Sequence, residues 1–258
     1  MSFSPIHHPH SPLAFGYPVC YSHIVIYLGT SGYSHQEWVG TFYPPDMPKR
    51  DWLSHYSREF NACELDFTFH TIATPQLMDS LVRKSSPGFQ FTVKAHHNMT
   101  HLQRGNETVF RGFRQSVQPL SSSGKLGCIV AQFPVTFNFS RENLDYLLMF
   151  RERLGELPLV AEFRHDSWLQ ASAVEALRHN RIGLCWMDSP TFLRERISPV
   201  PANDILAYVR FQEVTSAYPR LPEIQELPQR VEKTFVFAHN RVWGQALKAI
   251  QRLKDLLN

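Results

Sequence analysis

Eight short apolar runs, at residues 25–31, 62–68, 89–94, 128–132, 159–164, 183–188, 206–210 and 234–240, alternate along the chain with amphipathic stretches. Most of them end in a charged or amide side chain. Runs of this length read as strands, and strands that alternate with helical patterns argue for a parallel sheet. Eight such repeats argue for the closed form, the (β/α)8 TIM-type barrel. The intervening pattern predicts helices at 49–60, with Trp52, Leu53, Tyr56 and Phe60 on one face, and from Thr74-Pro75 to about 83. A helix over 109–120 is followed by the break Ser121-Ser122-Ser123-Gly124. Ser140 is an N-cap for 141–154, with Leu144, Leu147 and Leu148 inward, and Ser167 a cap for 168–179. A loop at 189–201, a short helix at 222–232 and a closing helix at 242–257, with Ala246, Leu247, Ile250, Leu253 and Leu257 as its stripe, complete the pattern.

Length and composition fit one large domain over 24–258. A chain of 258 residues, 43% hydrophobic, can bury a full core. Lys and Arg number 26 against 23 Asp and Glu. That mild excess is spread along the chain and gives only weak support to a nucleic-acid partner. No apolar run is long enough to span a bilayer, so no membrane partner is expected. Cys20, Cys63, Cys128 and Cys185 lack the paired spacing of a zinc or redox motif, and three of them fall in predicted strands. Free thiols imply a reducing, cytoplasmic setting. Residues 1–23, rich in Pro and His, read as an extension outside the barrel, and with Lys49 the first Lys or Arg they lack the basic start of a signal peptide.

In a barrel of this kind the chemistry sits at the C-terminal ends of the strands. Alternation gives Glu64, Asp66 and Thr68 a common face on the second strand, and Glu162 and Arg164 one on the fifth. Lys94, Gln132, Asp188, Arg210 and Asn240 end other strands and complete a ring of mixed charge. Such groups are costly to bury unpaired, so the wet mouth is their natural place, although a salt-bridge network tying the strands together uses the same residues. Glu64, Glu162 and Asp188 are the candidate acid/base groups. Glu162 is preferred because Arg164 shares its face, and Glu162→Gln is expected to spare the fold while removing activity. Lys94, Gln132, Arg164, Arg210, Asn240, Trp38 and His101 are candidate ligand contacts. Together they suit a polar, anionic small molecule in a solvent-reaching pocket. Tyr33, Trp38, Phe69 and Trp168 are aromatics able to stack on a sugar or base.

The inventory leaves several chemistries open. Two carboxylates fit glycoside hydrolysis, and the cations fit phosphate or carboxylate substrates. His70, His96, His97, His101, His165 and His239 follow strand ends and, with Glu64, Glu162 and Asp188, offer ligands for a divalent metal in a phosphodiesterase or sugar isomerase. No resident cofactor is indicated: Gly29-Thr30-Ser31-Gly32 is neither a phosphate-binding loop nor a nucleophile elbow, and no dinucleotide fingerprint occurs.

The wording of the segments adds a resemblance. Gly29-Thr30-Ser31-Gly32-Tyr33, Trp38, Phe42-Tyr43-Pro44-Pro45, Lys49-Arg50-Asp51-Trp52-Leu53 and Tyr56 are similar to the opening of the YecE-like proteins, domain of unknown function seventy-two. The likeness continues through Glu64 with Thr68-Phe69, 91–95 with Thr100-His101, Gln132-Phe133-Pro134, Glu162-Phe163-Arg164-His165 with Ser167-Trp168, Asp188-Ser189-Pro190 and 207–210. It implies a TIM-type barrel of unassigned activity. His101 and His165 lie in those motifs, whereas His70, His96, His97 and His239 stand where the resemblance leads to other residues. Gln212-Glu213-Val214 replaces an expected His-Gly pair. Fold therefore follows from the resemblance more firmly than function, which is open between an enzyme (hydrolase, lyase or isomerase) and a silent binding barrel.

Overall fold

A computed structural model describes residues 26–103, 107–188, 206–211, 221–239 and 245–257. Eight parallel strands form one sheet: β1 (Ile26–Thr30), β2 (Ala62–Leu65), β3 (Gln90–Lys94), β4 (Leu126–Gln132), β5 (Leu159–Glu162), β6 (Ile182–Asp188), β7 (Leu206–Phe211) and β8 (Lys233–Ala238). From β2 to β8 each strand pairs with the next in sequence, and β1 pairs with β8, with Ile26 opposite Thr234 and Thr30 opposite Ala238. The helices are α1 (Trp52–Glu59), α2 (Pro75–Lys84), α3 (His97–Thr100), α4 (Glu107–Ser122), α5 (Arg141–Leu154), α6 (Ala171–His179), α7 (Leu221–Glu226) and α8 (Gln245–Leu257). This is the TIM-type barrel that the hydrophobic pattern predicts. None of the described helices is long and apolar enough to cross a membrane.

The cycle closes between β1 and β2, and side chains do much of the joining. A Cβ on Gly29 would lie 2.0 Å from the Ala62 carbonyl oxygen, so only glycine lets the strands approach this closely. Asn61 accepts from the Leu28 amide (2.6 Å) and donates to the Ile26 carbonyl (2.9 Å), in place of a ladder. The buried Tyr56 hydroxyl, from α1, accepts from the Thr30 amide (2.8 Å) and donates to Ala62 O (3.2 Å). At the top, the Gly32 amide donates to the Glu64 carbonyl at 2.8 Å beside a Ser31–Glu64 bridge.

Alternation along the strands sorts the core into two layers. Inside the barrel pack Ala62, Cys128, Val130, Val160, Cys185, Met187, Leu206, Tyr208, Phe235 and Phe237. The other parity faces the helices, in a larger shell that includes Leu65, Val93, Ile129, Ala161, Val209 and Val236. Ser140 caps α5 as predicted, accepting from the Asn143 amide. Pro75 begins α2 behind the Thr74 cap.

Several boundaries differ from the sequence reading. β2 stops at Leu65, because Phe67–Phe69 turns into a 3-10 helix and Thr68 Oγ1 donates to the carbonyls of Leu65 (2.8 Å) and Lys94 (2.6 Å). Asp66 and Thr68 therefore do not continue the face of Glu64. β5 stops at Glu162, and Arg164 sits in a bend, so the two do not share a strand face. The chain turns there because Phe163 and Trp168 stack with ring centres 4.0 Å apart. Ser167 does not cap a helix over 168–179. His165 caps the 3-10 turn Asp166–Leu169, and α6 begins only at Ala171. The 49–60 stretch is a 3-10 turn followed by α1, and the 222–232 helix shortens to α7. Residues 1–23, Cys20, the loop at 189–201, Gln212-Glu213-Val214, Asn240 and the start of the 242–257 helix lie outside the described residues.

Candidate functional site

Counting by twos along each strand brings one interior residue per strand to the C-terminal mouth. The set is Ser31 after β1, Glu64 on β2, Lys94 on β3, Gln132 on β4, Glu162 on β5, Met187 on β6, Arg210 on β7 and His239 just after β8. Seven of these eight positions are polar. Directly below them lies the apolar stack of Val130, Val160, Cys185 and Phe237, so the polar layer begins abruptly.

Its centre is a three-residue assembly. Arg210, 1% exposed, donates through Nη2 to Glu64 Oε2 and through Nη1 to Glu162 Oε2. Ser31 donates to Glu64 Oε1, and the Tyr208 hydroxyl donates to Glu64 Oε2. Gln132 donates to Glu162 Oε1, with the Cys185 thiol 4.0 Å from Oε2. Every carboxylate oxygen is thus engaged. Burial pushes the Glu64 carboxyl up, but the Arg210 guanidinium, then Lys94, Ser31 and Tyr208, outweigh it and hold the pKa at about 2. Burial disfavours the Arg210 cation, and the two carboxylates more than restore it, raising its pKa further. Burial, with Glu64 beside it, keeps the Tyr208 phenol neutral.

Glu64 is consequently a fixed anion and not a proton donor at neutral pH. Glu162, 0% exposed and bonded on both oxygens, is not the solvent-reaching group that the sequence reading preferred as acid/base. Replacing it with Gln would disturb a buried guanidinium, so a spared fold is not expected. For glycoside hydrolysis, which needs two carboxyls of split character with access to substrate and water, this geometry is unsuitable.

Around this floor the remaining candidates divide. Lys94 is half-buried at the end of β3, with its ammonium 4.9 Å from the centre of the Phe69 ring. Burial lowers its pKa, Glu64 pulls it back, and Arg210 lowers it further against Glu162 and Asp66. His239, which donates its amide to Phe211 O at 2.7 Å, feels burial first and then the Arg210 cation, and its pKa is lowered. His101 is exposed at the rim, its Nδ1 3.0 Å from Thr100 Oγ1. Its residual desolvation and the nearby Arg164 and Lys94 cations lower its pKa, which puts Arg164 in the same neighbourhood.

Trp38 and Trp168 do not line the mouth. Trp38 is 2% exposed and stacks on Tyr56 at 6.3 Å, while Trp168 is fully buried and donates to Phe137 O at 2.8 Å. Asp188 is described only in its backbone, as the last residue of β6 opposite Phe211. Met187 holds the interior position of that strand.

Ser31, Tyr208 and Met187 were missed as members of the site. The parity that brings in Glu64 would have found Tyr208 by counting back from Arg210. Ser31 ends the first apolar run, which is its signal in the sequence, but its bond to Glu64 depends on the close β1–β2 approach. Among the described residues no three His, Cys, Asp or Glu side chains are grouped to hold a metal ion. His96 and His97 instead bond to the carbonyls of His70 (3.3 Å) and Phe69 (2.9 Å). The four-thiol reading is met where it can be seen, since Cys63, Cys128 and Cys185 are buried and free.

Comparison with known proteins agrees with this architecture. The chain is 34% identical over 150 residues to UPF0759 protein YunF of Bacillus subtilis (strain 168), covering 56% of this chain and 52% of that one. The match therefore spans about half the length of that curated relative. Among solved structures, a DUF72 family protein of Thermotoga maritima MSB8 superposes with a TM-score of 0.78 at 31% identity, over 90% of this chain and 98% of that one. A DUF72 family protein of Enterococcus faecalis V583 gives a TM-score of 0.76 at 22% identity, over 92% and 98% of the two chains, a likeness of fold. The family model described as "Protein of unknown function DUF72" matches residues 27–258, nearly the whole described barrel, and the chain belongs to that family.

Proposed function

We propose that this barrel binds a small anionic molecule in its C-terminal mouth and acts on it as a lyase or isomerase. Lys94 is the group that meets the ligand, and His239 is the group that moves protons beside it. One observation carries the reading: among the described residues, Lys94 has no carboxylate within ion-pair distance, although it is half-buried where the strand ends converge. A half-buried ammonium that feels Glu64 only from beyond contact distance keeps its donors free, and a ligand anion would engage them. Arg210 Nε is likewise a buried donor with no partner among the described residues. Arg164 supplies a further cation in the neighbourhood of Lys94, with the neutral imidazole of His101 beside it as a hydrogen-bonding group. A compact molecule fits better than a nucleic-acid strand, because Glu64, Glu162 and Asp66 confine the positive charge to one small region.

A binding barrel without turnover is the second reading, favoured by the saturation of both carboxylates. The buried free thiols fit a cytoplasmic setting for either. Thermal unfolding of wild type and Lys94→Met in inorganic phosphate and in malonate tests the proposal. At about 100 times Kd, a bound anion adds about 2.7 kcal/mol of stability. A rise in melting temperature for wild type that disappears in the variant is expected. An equal rise in both, or none in either, sinks it.

A further inference from the structure

Lys94 stands in the interior row of β3. Thr92, two residues earlier, has its hydroxyl 3.3 Å from that of Tyr208 in the middle of the barrel. One layer higher, the Lys94 ammonium lies 4.9 Å from the centre of the Phe69 ring. Glu64 and Glu162 attract the ammonium without contacting it, their oxygens being bonded by Ser31, Tyr208 and Arg210 and by Gln132 and Arg210. The backbone there is fixed as well, since Thr68 Oγ1 clamps the Lys94 carbonyl at 2.6 Å. A rigid strand end thus presents an amine that Glu64 and Glu162 attract from a distance but that no acid of the floor contacts.

Resting on the anion-binding reading above, we infer that Lys94 attacks the carbonyl carbon of the ligand and holds it as a Schiff base. The substrate class is then a small oxo acid or a phosphorylated aldehyde or ketone. Burial eases loss of the ammonium proton, and a neutral, desolvated amine is a competent nucleophile. In the addition, the nitrogen lone pair forms the C–N bond while the carbonyl π pair moves onto oxygen. One proton then passes from nitrogen to that oxygen. The proton that the ammonium first gave up to His239 then returns to the hydroxyl, which leaves as water while the nitrogen pair closes the C=N bond.

The protonated imine draws electrons from the adjacent carbon, which is what a lyase or isomerase step uses, and no oxidant or reductant is consumed. His239 is suited to the proton transfers: its imidazole is kept largely neutral and lies within electrostatic reach of Lys94. Arg164 and His101 would meet the carboxylate or phosphate end of the same molecule.

Borohydride trapping tests the step. Wild-type protein is incubated separately with glyoxylate, pyruvate and dihydroxyacetone phosphate, reduced with sodium borohydride, and mapped by peptide mass spectrometry. With at least one compound, the secondary-amine adduct is expected on Lys94 at about ten times the occupancy of exposed lysines such as Lys49 or Lys84. Lys94→Arg should lose that adduct while melting as the wild type does. Adducts spread evenly over the lysines, or an unmodified Lys94 with all three compounds, overturn the inference. Phosphate stabilisation that depends on Lys94, without trapping, leaves the anion site and removes the imine. Trapping on Lys94 that phosphate neither slows nor protects leaves the imine and removes the anion site.

Discussion

The polar layer at the barrel mouth has two unlike sides. Toward β2, β5 and β7, Glu64, Arg210 and Glu162 are almost wholly buried, and each carboxylate oxygen has a donor. Toward β3 and β8, Lys94 and His239 are only partly covered, and neither has an ion-pair partner among the described residues. Both sets are ionisable side chains at the C-terminal ends of strands. Saturation separates them. A charge whose every bond is made by its own chain is architecture, while one left incomplete at a solvent-reaching edge is available to a ligand.

Removing the centre of the saturated side should have the largest effect. Arg210→Ala leaves two carboxylates buried with no cation, and loses about 3–5 kcal/mol of unfolding free energy in urea. The combined variant Glu64→Gln, Glu162→Gln and Arg210→Met removes the charges together and should be more stable than Arg210→Ala alone. If the single variant is the more stable of the two, the floor is not the closed network described above.

Acid should expose the same asymmetry more gradually. The Glu64 pKa of about 2 lies below the ordinary value of 4.5, so its contribution is fully present above about 4.5 and is lost as pH falls toward 2. Urea unfolding between pH 6 and 2.5 should therefore show a steeper loss in wild type than in Glu64→Gln. Equal slopes would mean that Glu64 is not held as an anion. The smallest effect is expected at Lys94: Lys94→Met relieves its desolvation but withdraws a cation that supports the Glu64 anion, and should lower stability by about 1 kcal/mol or less. A loss comparable to that of Arg210→Ala would make Lys94 part of the scaffold.

Much of the barrel was legible because its outer face is made of apolar residues at strict spacing two, as in Ile129, Ala131 and Phe133 or Val209 and Phe211. Parity turns Glu64 and Glu162 inward, and position at a strand end singles out Lys94, Gln132 and Arg210; all five lie at the C-terminal ends of their strands. Parity failed where strands ended early. Thr68 and Phe163 each fit a strand by composition, yet a hydroxyl clamp and an aromatic stack turn the chain before the pattern stops. Nor does spacing tell whether a charge at a strand end is wet or saturated, since that depends on which side chains arrive from strands far away in sequence, such as Tyr208 and Arg210 reaching Glu64. Trp38 was misplaced for the same reason: its partner Tyr56 comes from the next helix.

The join between β1 and β2 has its own dynamic consequence. Because the Leu28 and Thr30 amides are held by the Asn61 side chain and the Tyr56 hydroxyl, their exchange with solvent deuterium is governed by those two rotamers and by the seating of α1. Neighbouring amides that bond to β8 follow the opening of the sheet itself. Slow loosening of the first helix would then appear as early isotope uptake at alternate positions of one strand, a signature that ordinary fraying from a strand end would not produce.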